Sequence, residues 1–316
     1  MIANPALAVP AIAVGAGLLW KGADWLVAAA ARLARGLGMS DLTIGLTVVA
    51  LGTSLPEFVV TLVAAFRGKA DLAVGNVVGS NIFNTGLILG LCALAWSLPV
   101  PRILPRRDIP VLAIGTAALL LYLNDLRLAH WEGALMFAAL IIYVVCVFFF
   151  SGVEDLDAAE VPAGQASGSD AFWVLVGLCS VGLGAHLLVS GAQSIADLMG
   201  VPTWLVGVTV VAAGTSLPEL VTSIAAARHG HTGMIAGNVI GSDAFNLLGV
   251  MGLAACIHPL KVGPEVIPGI WMMLGSCVLL WIVCTRSTLG LPAGIALIGV
   301  ALGRWAYEIL AAMNSG

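Results

Sequence analysis

Long apolar stretches alternate with short polar breaks along the whole chain. Each stretch has about the 20 mainly apolar residues that a helix needs to cross a bilayer. Dividing the chain at its charged and Pro/Gly breaks predicts ten membrane-spanning helices, over residues 8–34, 42–66, 72–97, 108–124, 131–150, 172–196, 204–227, 233–258, 265–284 and 290–311. The pattern is therefore typical of an all-α membrane protein with ten transmembrane helices.

One longer polar stretch interrupts this pattern, between the fifth and sixth spans. Residues 151–170 contain five acidic side chains among Gly, Ser and Pro, a composition typical of a flexible connector. The stretch divides the chain into a first five-helix half, residues 1–150, and a second five-helix half, residues 171–316.

Composition excludes an ordinary soluble protein. Of the 316 residues, 60% are hydrophobic and 9% are charged, whereas soluble domains carry about 25% charged residues. The net charge is −4 and the basic residues are scattered, so no basic stripe is available for a nucleic acid. The predicted surroundings are a lipid bilayer, and a bacterial inner membrane is the expected setting.

Basic residues in the short loops predict the orientation of the chain, because Lys and Arg are retained on the cytoplasmic side. The loops after spans one, three, seven and nine hold seven basic residues, against four on the opposite side. This difference predicts that both termini face outward. Two charged pairs within the end spans, Lys21 with Asp24 and Arg304 with Glu308, have helical spacing and are expected to pair near the lipid boundary.

An internal duplication is the strongest signal in the chain. Residues 45–84 align with residues 207–246 at a constant offset of 162, and 22 of the 40 positions are identical without a gap. Five predicted spans separate each position from its partner. Because five is odd, the two copies are expected to cross the bilayer in opposite directions, as an inverted-topology repeat.

Each copy places a carboxylate in the middle of an apolar span. Glu57 ends the run Gly-Thr-Ser-Leu-Pro-Glu in the first copy, and Glu219 ends the same run in the second. A charged group in lipid costs about 3 kcal/mol on translocon scales, so each Glu is expected to face the bundle interior and to be functional. Pro56 and Pro218 lack an N–H group and are expected to break their helices, which loosens nearby backbone carbonyls.

A second shared block adds amides and hydroxyls. Ser80 and Asn84 lie four residues apart in the first copy, as do Ser242 and Asn246 in the second, so each pair shares one helix face. The two copies together offer carboxylate, amide, hydroxyl and carbonyl oxygens, without a thiolate or an imidazole. Such a donor set suits hard cations, Ca²⁺ or Na⁺. Ser and Asn also serve as packing contacts between membrane helices, which is the alternative interpretation.

These residues resemble the cation/Ca²⁺ exchanger superfamily, whose two repeats carry a G-T-S-[LV]-P-[ED] block followed by G-N-x-x-G-S-N. The likeness covers both repeats and extends, through the segmentation, to nearly the whole chain. The resemblance implies ten helices in two inverted five-helix repeats, with ion sites at the midplane between spans two, three, seven and eight. It implies Ca²⁺ and a monovalent cation as transported partners and no cofactor.

The resemblance also implies a role for each matching position. Glu57 and Glu219 correspond to central Ca²⁺ ligands shared with the Na⁺ sites, completed by backbone oxygens of Thr53 and Thr215. The remaining matches are contributors to the Na⁺ sites and polar positions that close the middle: Ala50, Ser54, Ser80, Ala212, Ser216 and Ser242, then Asn84 and Asn246. Several prokaryotic members have Asp where this chain has Asn246. This chain instead has Asp243, where its own first copy has Asn81, so Asp243 and Asn81 are additional candidates.

The predicted function is a secondary-active antiporter that exchanges Ca²⁺ for Na⁺ by alternating access, with spans one and six sliding across the rest. Protons are an alternative coupling ion, because Ca²⁺ and H⁺ compete for the same buried carboxylates, and K⁺ involvement is a further alternative. A passive cation channel is a closer rival than an intramembrane hydrolase. The sequence has no GxSxG or HExxH motif, and no His lies in either Gly-Thr-Ser-Leu-Pro-Glu run or in residues 75–84 and 237–246, so an enzyme is not predicted.

Overall fold

A computed structural model describes residues 7–149, 168–199 and 212–314. Within these ranges it leaves out the side chains of residues 196–197, 212–213, 308–309 and 311–314. The predicted connector, residues 151–170, lies outside the described residues except for its last positions. The start of the predicted seventh span and the side chain of Glu308 also lie outside them.

Helices make up nearly all of the described chain. They are α1 Ala8–Gly36, α2 Asp41–Thr53, α3 Leu55–Phe66, α4 Ala70–Ala95, α5 Leu104–Asp125, α6 His130–Phe149, α7 Gly168–Leu198, α8 Ala212–Thr215, α9 Leu217–Arg228, α10 Thr232–Ile257, α11 Pro264–Cys284 and α12 Leu291–Asn314. Four two-residue strands form two antiparallel pairs, β1 Leu98–Pro99 with β4 Thr288–Leu289 and β2 Arg127–Leu128 with β3 Leu260–Lys261.

Within the described residues, seven helices are long and apolar enough to cross a membrane, and eight are if the bent pair α2 and α3 forms one span. The chain is therefore an all-helical membrane protein. The apolar part of α12, Leu291–Tyr307, is shorter than these seven.

The second predicted span is broken at the repeated block. Helices α2 and α3 meet at Ser54 with a bend of 48°. Pro56 has no N–H group to donate to the preceding turn, which explains why the helix cannot continue straight through this point. In the second copy α8 ends at Thr215 and α9 begins at Leu217. The predicted break is thus confirmed in the first copy, and a helix end occurs at the equivalent position of the second.

The described chain divides into two compact units, each of which takes residues from both halves of the sequence. Among the described residues, the first contains 7–56, 168–199 and 212–238, and the second contains 57–149 and 239–314. In the first unit, α1 and α7 pack closely along glycines. A Cβ atom at Gly15 would lie 2.7 Å from the carbonyl oxygen of Gly184. The α2 helix approaches α10 in the same way, through Gly45 and Gly237.

One ion pair predicted for the first unit, between Lys21 and Asp24, is wrong. Asp24 lies 3.6 Å from Nη1 of Arg228 and 3.3 Å from Nε2 of His229, instead of pairing with Lys21. Arg228 also stacks over the Trp20 ring at 4.2 Å. Spacing within one helix predicted the Lys21 pair, but the C-terminal end of α9 brings Arg228 and His229 to the same carboxylate.

In the second unit, α6 packs on the C-terminal half of α10, α12 packs on α4, and α11 packs on α5. Small residues again allow the close approaches. A Cβ atom at Gly133 would lie 2.6 Å from the carbonyl oxygen of Gly252, and one at Gly86 would lie 2.7 Å from the Ala301 side chain. The polar residues Ser80, Asn81 and Asn84 of the second repeated block are buried in α4.

Candidate cation site

Both repeated glutamates are completely buried. Glu57 lies in the first turn of α3 and Glu219 in the first turn of α9, each with 0% of its surface exposed. Each follows the helix break by three residues, so the free N–H groups of a new helix lie nearby and favour a negative charge. Burial of this degree supports the prediction that neither carboxylate faces lipid.

An amide in each copy fixes the backbone of its glutamate. Nδ2 of Asn238 donates to the Glu219 carbonyl oxygen at 3.2 Å and to Oγ of Ser223 at 3.1 Å. In the first copy, Nδ2 of Asn76 donates to the Glu57 carbonyl oxygen at 3.4 Å and to Oγ1 of Thr61 at 2.9 Å. The two copies thus repeat one hydrogen-bond pattern at equivalent positions.

Thr61 and Ser223 were missed at the sequence level. Both lie one helical turn after the glutamate, and both carry a hydroxyl at the same position of the two copies. That shared hydroxyl is the signal by which they could have been found. The hydrogen bonds give Asn76 and Asn238 a positioning role.

Two further hydrogen bonds connect the first unit's polar residues. The Ser54 hydroxyl donates to Oε1 of Glu219 at 3.1 Å, and the Thr53 hydroxyl lies 3.1 Å from Oδ1 of Asn238. Thr53 Oγ1 also lies within hydrogen-bonding distance of the Val49 and Ala50 carbonyl oxygens. The Ala50 carbonyl also accepts the Ser54 N–H at 3.0 Å, so it keeps a helical partner although the helix breaks one turn later.

The second unit brings together the amides of the second block. Nδ2 of Asn246 donates to Oγ of Ser80 at 3.2 Å, and Nδ2 of Asn84 donates to Oδ1 of Asp243 at 3.1 Å. Nδ2 of Asn81 donates to the Asp243 carbonyl oxygen at 3.0 Å. All three amides therefore use their donor side within the protein.

The carbonyl oxygens of the same three amides, Oδ1 of Asn81, Asn84 and Asn246, are buried and accept no hydrogen bond. A buried polar atom left without a partner costs about 1–3 kcal/mol. A bound cation would remove that cost, because an amide oxygen is a good ligand for hard cations.

Asp243 is a third buried carboxylate, with 2% of its surface exposed. Its Oδ2 accepts a 2.5 Å hydrogen bond from the Thr85 hydroxyl, and its Oδ1 accepts from Asn84. At the offset of 162, Asp243 corresponds to Asn81 and Thr85 corresponds to Leu247. The additional acid in one copy thus meets an additional donor from the other, and the two repeats are not equivalent at this point.

The other predicted site residues occupy related positions. Thr215 and Ser216 are buried at the start of the second copy's break, and Ser242 is buried in α10. Ala212 begins α8, and its side chain lies outside the described ones. Among the described residues no cluster of three or more His, Cys, Asp or Glu side chains occurs, so a cation site here has to use neutral oxygens as well as carboxylates.

Comparison with known proteins agrees with this chemistry. The sequence model of the family described as "Sodium/calcium exchanger protein" matches residues 7–149 and 169–303. The chain is 37% identical to the "Putative antiporter CaxA" of Alkalimonas amylolytica over 255 residues, covering 78% of this chain and 80% of that protein. It is 31% identical to the "Sodium/calcium exchanger MaX1" of Methanosarcina acetivorans over 291 residues, covering 79% and 83% of the two chains.

A solved structure has the same fold. The sodium-calcium exchanger NCX_Mj, soaked with 10 mM Na⁺ and 10 mM Sr²⁺, superposes with a TM-score of 0.86 at 30% sequence identity. The match covers 96% of this chain and 99% of that one. The likeness extends beyond the repeated blocks to nearly every helix.

Proposed function

Because the chain belongs to the sodium/calcium exchanger family, whose members are cation/Ca²⁺ antiporters and not enzymes, we propose that it exchanges Ca²⁺ for Na⁺ across its membrane by alternating access. The observation that supports this most directly is the complete burial of Glu57 and Glu219 at equivalent positions of a duplicated block. A carboxylate buried to this degree in a membrane protein is costly unless it serves a polar or ionic partner.

We propose that both carboxylates are ligands of the transported Ca²⁺, together with backbone oxygens of Thr53 and Thr215. The flanking Na⁺ sites use oxygens of Ala50, Ser54, Ser80, Ala212, Ser216 and Ser242, and Asn84 and Asn246 are the polar positions that close the middle. Support for the two amides comes from Oδ1 of Asn84 and Asn246, which are buried and accept no hydrogen bond. Six to eight oxygens at about 2.3–2.6 Å are the usual Ca²⁺ environment.

Charge balance explains how exchange becomes obligatory. Two ionised carboxylates are neutralised by one Ca²⁺ or by two Na⁺, and an occupied site no longer carries a charge through the lipid. An empty site keeps its two negative charges and resists the transition. We propose that α1 and α7, which pack on each other through backbone contacts at Gly15 and Gly184, move as one pair during the transition.

The coupling ion is tested by ion flux into proteoliposomes. An outward Na⁺ gradient is expected to drive Ca²⁺ uptake, whereas an outward H⁺ or K⁺ gradient of equal size at zero Na⁺ is not. Uptake driven by the pH gradient alone would replace Na⁺ by H⁺ in the proposal. Ca²⁺ movement without any counter-ion would indicate a channel.

The site is tested with Glu57→Gln and Glu219→Gln. Each variant removes one of the two charges, and Ca²⁺ uptake is expected to fall to background. The matched control is Glu132→Gln. Glu132 is also buried, with 9% of its surface exposed, and it accepts the backbone N–H of Ala129. Wild-type uptake in either site variant would contradict the assignment, and loss of uptake in all three variants would mean that the comparison reports folding.

We further propose ten spans in two inverted five-helix repeats with both termini outward. The constant offset of 162 and the repeated Asn-to-Glu hydrogen bonds support the duplication, and the basic loops support the orientation. A C-terminal reporter active only on the outer face is expected, and a cytoplasmic reporter signal would refute this topology.

A further inference from the structure

Exposed arginines collect at one end of the second unit. Arg102 lies between β1 and α5, Arg106 lies in the first turn of α5, and Arg286 lies between α11 and β4. All three are exposed, and together they are called the arginine surface below. The one acidic side chain described in these segments is Asp108, which is completely buried and bound to Nε of Arg107 at 2.8 Å.

Backbone contacts hold the two segments of the arginine surface side by side. Where β1 pairs with β4, the Val100 N–H donates to the Ser287 carbonyl oxygen at 2.9 Å. Nearby, Nε1 of Trp281 donates to the Pro105 carbonyl oxygen at 3.0 Å. Each arginine of the surface lies within two residues of one of these bonds along the chain. The surface is therefore one region of the folded unit, although its segments are far apart in sequence.

The arginine surface has no carboxylate to neutralise it among the residues that the structure describes. The salt bridges formed by the described residues use other cations: Arg32, Arg107, Arg228, His229 and His231. Exposed charges of one sign that lie together create a positive potential, which attracts anions to this end of the unit.

The opposite end of the same unit carries both signs of charge. Helices α4 and α11 begin there, and Oδ1 of Asp71 accepts the Gly263 N–H at 2.7 Å. Arg304, Asp71 and Glu265 border one cavity at this end. The other charged side chains described there are also mixed: Arg67, Lys69, Arg127 and Lys261 with Asp125 and Glu132. The excess of positive charge therefore belongs to the end with the arginine surface.

The side chains beside the arginine surface place it at the depth of lipid headgroups. Trp281, in the last turn of α11, is 52% exposed, and tryptophan is enriched where helices leave the hydrocarbon for the headgroup region. Its neighbour Ile282 is 58% exposed and is suited to contact acyl chains. In the topology proposed above, this end of the unit faces the cytoplasm, and the cytoplasmic leaflet carries anionic lipids.

We propose that the arginine surface binds the phosphate headgroups of anionic phospholipids in the cytoplasmic leaflet. Exposed basic residues next to membrane helices are attracted to such lipids, and a guanidinium matches a phosphate with two parallel hydrogen bonds. Retention of arginines on the cytoplasmic side explains a positive loop but requires no lipid preference, so a preference for anionic lipid separates the two explanations. The surface lies outside the residues assigned to cation transport, and its binding does not depend on the coupling ion.

Binding is tested by native mass spectrometry of the detergent-purified full chain, titrated with phosphatidylglycerol or phosphatidylcholine. The wild type is expected to bind phosphatidylglycerol more tightly. Replacing all three arginines of the surface by Gln is expected to weaken that binding about a hundredfold, because each arginine contributes about fivefold. The matched control removes three exposed cations from the opposite end, with Arg67→Gln, Arg127→Gln and Lys261→Gln together, and is expected to bind as the wild type does. Equal losses in the two triple variants would overturn the proposal, because they would mean that only the net charge matters.

Two further measurements do not depend on the folding of the Gln variant. In the wild type, raising the ionic strength about tenfold is expected to weaken phosphatidylglycerol binding, because salt screens exposed charges. Replacing the same three arginines by Lys keeps their charges and is expected to keep the preference for phosphatidylglycerol. Binding that salt does not change would overturn the proposal, as would equal binding of the two lipids by the wild type. Soluble glycerol 3-phosphate is expected not to compete; competition that depends on the arginine surface would overturn the assignment to a lipid.

Discussion

Replacing Thr85 by Val tests whether Asp243 is ionised inside the protein. The Thr85 hydroxyl donates a 2.5 Å hydrogen bond to Oδ2 of Asp243, which is 2% exposed. Valine has nearly the shape of threonine and lacks only the hydroxyl. The variant therefore removes one donor from a buried carboxylate while changing little else.

The decrease in the free energy of unfolding expected for Thr85→Val depends on the charge of Asp243. A hydrogen bond to a charged group contributes about 1.5–3 kcal/mol, whereas a bond between neutral groups contributes about 1 kcal/mol. In an Asp243→Asn background, the new amide can donate to Thr85 and accept from Asn84. Thr85→Val is then expected to remove only a neutral bond. The two costs are therefore expected to differ by about 0.5–2 kcal/mol.

Thermal unfolding in detergent measures this difference as a double-mutant cycle over the wild type, both single variants and the double variant. The melting temperature of Thr85→Val is expected to fall by several degrees, and by clearly less in the Asp243→Asn background. Equal decreases in both backgrounds would refute the reasoning, because they would mean that Asp243 is protonated and that the 2.5 Å bond joins neutral groups. The result also decides whether this residue adds a third negative charge near the proposed cation ligands.

Two further variants test packing and a buried ion. Gly15→Ala is expected to destabilise the chain by about 1–3 kcal/mol in thermal unfolding, because its Cβ atom would lie 2.7 Å from the Gly184 carbonyl oxygen; Gly17→Ala is the control, with no atom within 4 Å of its Cβ position. An equal effect of both glycine variants would contradict the close-packing argument. Tyr143→Phe removes a 2.9 Å hydrogen bond to the fully buried Asp108 and is expected to cost about 1.5–3 kcal/mol; an unchanged melting temperature would show that this bond adds nothing.

Local features of the site followed from the sequence. The helix break before Glu57 follows from Pro56, because a missing N–H group acts on its own turn whatever the surroundings. The burial of both glutamates follows from the cost of a charge in lipid. The partners of these residues did not follow in the same way. Thr61 carries a hydroxyl in an apolar helix. Only the hydrogen bond that it accepts from Asn76 identifies it as a positioning residue instead of a packing residue.

The same limit applies to Asp24 and Asp243. Helical spacing predicted Lys21 as the partner of Asp24, but the carboxylate lies beside Arg228 and His229. Asp243 was recognised as an extra acid, without any indication that Thr85 donates to it. In both cases the partner comes from a part of the chain far away in sequence, and no periodic pattern in the sequence indicates such a contact.

The sequence by itself determined that this is a helical membrane protein, where its apolar helices lie, and which duplicated block places acids within them. These properties depend on the chemistry of neighbouring residues and on the cost of polar groups in lipid. The tertiary structure decided which amide oxygens stay without a donor, which side chains donate to Asp243, and that Arg304, Asp71 and Glu265 border one cavity. Those outcomes depend on which side chains reach each other when separate helices pack, a property that no single stretch of chain contains.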